Sequence, residues 1–268
     1  MNGEWAQVIA LVAHGNYFLT HPEISTIELS GNSTFQFVNE VTFAHYRSTL
    51  DPKGTKVAGN VSDWFNILRD RKVKRLWNIG FAWDRPDMAE HIAIGFASGV
   101  PIAIQTDLPE GYELWYPLWK TGGAPQKPWF IEYRGLSFGY SHAAAQMGMD
   151  DVKVRLYNAI SSVEQFARKP GVNLGFWADH FSKALRLLES EEPVLPYHSD
   201  LLPAIGFGIE AKQILAAASQ AYVFGGMGSW NDLGFEKPEE NTEYEEVTQT
   251  LYQAVKMSAL MASNSYMQ

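Results

Sequence analysis

Three carboxylates recur at a spacing of three in one short stretch: Asp84, Asp87 and Glu90. On a helix, neighbouring members of such a series share a face. If one were desolvated while another stayed ionised, they could work as a nucleophile and an acid/base partner. The same acids also suit the first turns of a helix for a purely structural reason, because the positive end of its dipole favours negative charge. Asp107 is a fourth acid, placed just after the apolar run 100–104.

Aromatic side chains supply a second kind of chemistry. Tyr112, Trp115, Tyr116 and Trp119 crowd one segment, and Trp115 and Tyr116 are candidates for stacking a base or sugar, although such density also serves a core or an interface. The glycine-rich turn at 225–228 leads into Ser229 and Asn231, which are candidates for lining a pocket. It is not a phosphate loop, because it follows a helical stretch instead of opening one and carries no Gly-Lys-Ser/Thr.

Metal and nucleophile motifs are missing. The seven histidines form neither H-E-x-x-H nor a close pair at helical spacing, and there is no cysteine, so no metal site, disulfide or other cofactor is expected. Gly139 to Ala143, GYSHA, lacks the pattern of a serine-hydrolase elbow. His198 and Asp200 stand close together, but capping explains them more simply than catalysis.

The elements around the acids follow from periodicity. Residues 76–83 alternate in a period of two, with Trp77, Ile79, Phe81 and Trp83 on one side, which predicts a strand. Asp84, Pro86 and Asp87 read as a helix start, Met88, Ile92 and Phe96 as its apolar face, and Gly99 and Pro101 as its stop. Residues 100–104 then read as a buried strand parallel to the first. In an open sheet of this kind ligands collect beyond the carboxyl ends of the strands, which would gather Asp84, Asp87, Glu90 and Asp107.

Along the rest of the chain, 4–19 reads as a helix with Trp5, Ile9, Val12 and Phe18 or Leu19 in a stripe. Residues 26–29 and 34–46 are strand candidates, with Asn39 and Glu40 marking a bulge or turn. The turn-rich 50–60 reads as a mobile loop, 62–68 as a short helix, and 129–133 as a strand. Helices are predicted from Asp151 and from Asn173 as an antiparallel pair, from Ser199 or Asp200 to about Phe224, and from Thr242, whose pairing with Glu245 makes a capping box. This change of character suggests an α/β core over 1–140 and a helical region over 141–268.

The chain has 268 residues and a formal charge of -9, and its densest basic cluster, Arg69 to Arg75, falls at a turn. A nucleic-acid duplex or an anionic membrane is therefore not the expected partner. Glu4 precedes the apolar run 8–13 and no basic leader stands before it, so a soluble, cytoplasmic protein is expected.

Residues 87–107, with Ala-Ile-Gly-Phe-Ala followed by Gly-Val-Pro-Ile-Ala-Ile, resemble the strand-helix-strand segment of the nucleoside deoxyribosyltransferase-like Rossmannoid family. The resemblance implies a Rossmann-like core and cleavage of N-glycosidic bonds by an acidic nucleophile. The family's Glu-Leu-Gly-Tyr-Ala falls on Ala93 to Ala97, so Ala93 stands where the nucleophile would be. Either the match is local, or the chain binds without this chemistry, or another carboxylate such as Asp87 has taken the role.

The resulting expectation is an α/β protein with a Rossmann-like sheet and a helical C-terminal half, α+β being the alternative. It would bind a small molecule and cleave or transfer N-glycosidic bonds of nucleosides or nucleotides. The alternative is a non-catalytic, inhibitor-like protein that meets a protein partner with its acidic surface. Oligomeric state stays open.

Overall fold

A computed structural model describes residues 3–82, 87–96, 101–139, 147–225 and 228–267, without the side chains of 95 and 96. Helix α1 spans Gly3–Thr20. Strands β1 (Val38–His45) and β2 (Thr55–Ala58), helix α2 (Val61–Asp70), strand β3 (Arg75–Gly80), helix α3 (Glu90–Phe96) and strand β4 (Ile102–Asp107) follow. A long hairpin, β5 (Tyr112–Ala124) and β6 (Lys127–Phe138), completes the sheet. Helices α4 (Met149–Arg168), α5 (Gly175–Leu187), α6 (Ile209–Gln220) and α7 (Pro238–Asn264) make up the second half.

The six strands lie in the order β2-β1-β6-β5-β4-β3. Only β1 and β6 run parallel; β3 and β4 are antiparallel, with Arg75 opposite Asp107 and Gly80 opposite Ile102. The expected parallel crossover is thus replaced by a return in the opposite direction. Its consequence is geometric: Asp107 lies at the far end of β4 from α3, so the strand separates it from Glu90 by a length of about 17 Å at roughly 3.4 Å per residue.

Several local expectations hold and others shift. The break at Asn39 and Glu40 is a register shift between β1 and β6. Residues 26–29 form no strand, the supposed loop 50–60 contains β2, and Asn60 caps α2 by accepting from the Asp63 amide at 2.8 Å. The helix expected from Ser199 starts only at Ile209, and α7 starts at Pro238 instead of at a Thr242 capping box. A proline is tolerated in the first turn, where its missing N–H has no partner to lose. Gly99, the expected helix stop, is outside the described residues.

Helix α1 is apolar nearly all round, and twelve of its eighteen residues are buried instead of the single stripe expected. Such a helix must be enclosed. It packs on β3 and β4 and also touches α2 and α7. One contiguous core takes Trp5, Phe43, Trp64 and Trp115 from the first half and Leu156, Phe181, Trp230 and Tyr252 from the second.

The contact of α1 with β3 is unusually close because residue 15 is glycine: a Cβ there would collide with Leu76 and Phe65. That approach lets Asn16 act as a strand surrogate. Its Oδ1 accepts from the Leu76 amide at 2.8 Å and its Nδ2 donates to the Leu76 carbonyl at 2.9 Å. Asn264, at the end of α7, does the same for Asn78, at 2.7 and 2.8 Å. β3 is an edge strand with buried residues, so its outward backbone groups need partners other than water.

Replacing Asn16 or Asn264 by alanine leaves two backbone groups of β3 unsatisfied. Each variant should lose about 1–3 kcal/mol for each orphaned group. Urea unfolding followed by tryptophan fluorescence measures this, and no loss in either variant would show that the amide pairs are dispensable.

Candidate functional site

Helix α7 presents Gln249, Tyr252, Lys256, Leu260 and Asn264 at spacings of three and four, so they share one stripe. Its last residue is fixed to β3, and the preceding turns therefore face the chain that leaves β3 and the start of α3. Lys256 donates to the Phe81 carbonyl at 3.0 Å and to Glu90 Oε1 at 2.5 Å. The Tyr252 hydroxyl donates to the same Glu90 oxygen at 2.9 Å. Glu90 is 3% exposed and Lys256 9%.

The next residue extends the network. His91 Nδ1 meets Gln249 Oε1 at 2.8 Å, and with that oxygen as acceptor Nδ1 carries the ring proton. The His91 carbonyl accepts from Asn231 Nδ2 at 2.8 Å. Asn231 Oδ1 is buried and has no hydrogen-bond partner among the described residues.

Burial sets the titration of Tyr252 and His91. The Tyr252 hydroxyl is held far above the usual phenol range by desolvation and then by the Glu90 charge beside it. The pKa of His91 is lowered by burial, against weaker opposing effects of Gln249, Glu245 and Glu90. The arrangement offers a buried carboxylate with an ammonium and a hydroxyl on one oxygen, and a neutral imidazole next to it. Such a carboxylate can accept a proton or form a bond to an electrophilic carbon, and the ammonium can return a proton.

The sequence candidates separate into two groups. Glu90 and Asn231 come together through His91, and Tyr116 approaches the same end by stacking on Phe81 at 5.6 Å, with 23° between the rings. Asp87 is exposed and sits in a turn before α3, so it does not share a helix face with Glu90. Asp84 lies outside the described residues. Asp107 accepts from Trp77 Nε1 at 2.6 Å and Gln105 Nε2 at 2.7 Å at the opposite end of β4.

Trp115 is fully buried and meets Trp64 edge-on at 5.5 Å, in space that Gly135 leaves open, so it has no face for a ligand. Ser229 caps the short 3-10 turn 230–232 and donates to the Gly225 carbonyl at 2.9 Å. Asp200 starts no helix of its own: it accepts from the Ser33 amide at 2.7 Å and from the Ser33 hydroxyl, at the start of the 3-10 turn 33–35 that Asn32 caps, while that hydroxyl meets His198 Nδ1 at 2.8 Å. The imidazole does not bridge the serine and the acid, as it must in a relay. Among the described residues no group of three or more His, Asp or Glu is placed to hold a metal, and no helix is long and apolar enough to cross a membrane.

Lys256, Tyr252, Gln249 and His91 were not found by sequence reasoning. One signal was present: Lys256 is the only charge in the otherwise apolar or small run 254–263. Compared with known proteins, the chain matches no family model, no curated protein and no solved structure. The resemblance over residues 87–107 therefore rests on those residues alone.

Removing one member of a buried ion pair strands the other, so Lys256→Met should destabilise by about 3–5 kcal/mol. If the pair serves the site instead of the fold, Glu90→Leu combined with Lys256→Met should recover most of that stability. Denaturant titration of both single variants and the double variant gives the coupling, and a double variant as unstable as Lys256→Met would overturn the expectation.

Acid should weaken the fold through its histidines. Burial lowers the pKa of His14, His91, His180 and His198 below 6.5 in the folded chain. All four are neutral in both states above 6.5, but below it the unfolded chain binds protons that the folded chain resists, so stability rises with pH. Urea midpoints should fall from pH 7.5 to 5.5, and His91→Gln should reduce the slope.

Proposed function

We propose that the protein binds a small polar molecule where α3 meets α7, and that it cleaves or transfers an N-glycosidic bond of a nucleoside or nucleotide with Glu90 as the reacting carboxylate. One observation carries this reading: Glu90 is 3% exposed, and Lys256 and Tyr252 donate to one of its oxygens. The unpartnered Oδ1 of Asn231 alongside adds an acceptor for a ligand.

In such a reaction a Glu90 oxygen bonds to the anomeric carbon as the carbon–nitrogen bond breaks. The electron pair leaves with the base, which takes a proton from the Lys256 ammonium or from water, and water then hydrolyses the glycosyl ester. The Tyr116 and Phe81 rings offer the base an aromatic neighbour.

The test is incubation with nucleosides, nucleotides and sugar phosphates, with native mass spectrometry for retained ligand and chromatography for released base. Release that Glu90→Gln lowers about a hundredfold, with ligand still retained, is the expected outcome. Retention with no release in the native protein would leave a binder without the chemistry.

A second reading, docking to a protein partner, is favoured by exposed apolar side chains after α4. Phe176, Val194 and Tyr197 are 75%, 67% and 71% exposed, and Tyr197 holds a left-handed backbone at φ 68°. If no compound is retained and no base appears, this reading replaces the first.

A further inference from the structure

Helices α4 and α7 pack along one another, but small side chains leave a groove between them. Its cavity is about 500 Å³, inside the range of roughly 300–1,000 Å³ typical of small-molecule sites. Val152, Ala159 and Met257 give it an apolar floor. Ser258 lines it too; that residue is 1% exposed, and its Oγ has no hydrogen-bond partner among the described residues.

The charge of the groove is opposite to that of the chain. In a protein of formal charge -9, its lining contains Arg155 and no Asp or Glu. Arg155 is exposed and makes no hydrogen bond or ion pair with the described residues. The acids nearest along α7, Glu245 and Glu246, border Gln249 and Thr250 in a shallow depression outside it. Asn158, Gln249 and Gln253 add amides to the lining, and Gln249 uses its Oε1 on His91, which leaves its two N–H donors.

We propose that the α4–α7 groove is a binding site for a small monocarboxylate with an apolar body. Arg155 pairs with the carboxylate through two parallel N–H bonds, the amides supply further donors, and the apolar part lies on the Val152, Ala159 and Met257 floor. A single guanidinium and neutral donors match one negative charge. The groove shares Gln249 with the network beside Glu90 but does not include Glu90 or depend on its chemistry, so the two proposals fail independently.

Ligand-observed NMR titration of the full chain with benzoate and hexanoate, against benzamide and hexanamide, tests this. The acids should bind at least tenfold more tightly than the amides. Arg155→Gln should abolish the difference, whereas Arg155→Lys should keep part of it; Arg155 is exposed, so neither change disturbs the core, and circular dichroism checks the fold. Absence of binding by the acids, equal binding of acids and amides, or an unchanged preference in Arg155→Gln would each overturn the proposal.

Discussion

The outer edge of β3 is closed by two asparagine side chains, and much of the molecule depends on that closure. Leu76 is fully buried and Asn78 is 1% exposed, so their outward N–H and C=O groups cannot turn to water. A further strand would satisfy them through a ladder. Here the primary amides of Asn16 and Asn264 each provide one acceptor and one donor in the spacing of a peptide. Two helices, α1 and α7, are thereby tied to one strand, and its edge is covered at Leu76 and Asn78.

That tie also determines where the rest of α7 goes. With Asn264 fixed, residues 256, 252 and 249 fall successively further along one stripe, next to Phe81 and the first turn of α3. Lys256 is the hinge of this arrangement: it joins a strand-end carbonyl to a buried carboxylate. Such a charge pair is costly to desolvate, so its net contribution to stability is small although losing one partner is not, and its geometry fixes where the Glu90 carboxylate lies.

Another buried carboxylate shows the contrast. Glu113, 1% exposed, receives two bonds from Arg71 at 2.9 and 2.7 Å and a third from Ser137 at 3.1 Å, with His45 at 3.3 Å. Its capacity is consumed in joining β1, β5, β6 and the end of α2. The Ser33, His198 and Asp200 group likewise fastens a loop to a 3-10 turn. Around Glu90, by comparison, Asn231 Oδ1 is left without a partner among the described residues.

The sequence by itself determined local elements: that α1, α4 and α5 are helices, the alternation of β3 and the break in β1, whereas the helix expected from Asp84 begins at Glu90. These signals lie within a few residues, where side-chain direction and backbone satisfaction are decided by neighbours. Only the tertiary structure decided that β4 returns antiparallel, which carries Asp107 away from Glu90, and that Trp115 turns into the core while Tyr116 lies toward Phe81. It likewise singled out one acid of the Asp84, Asp87 and Glu90 series by giving Glu90 a lysine 166 positions away. Strand direction, burial and charge pairing are set by contacts between distant segments, and no local period encodes them.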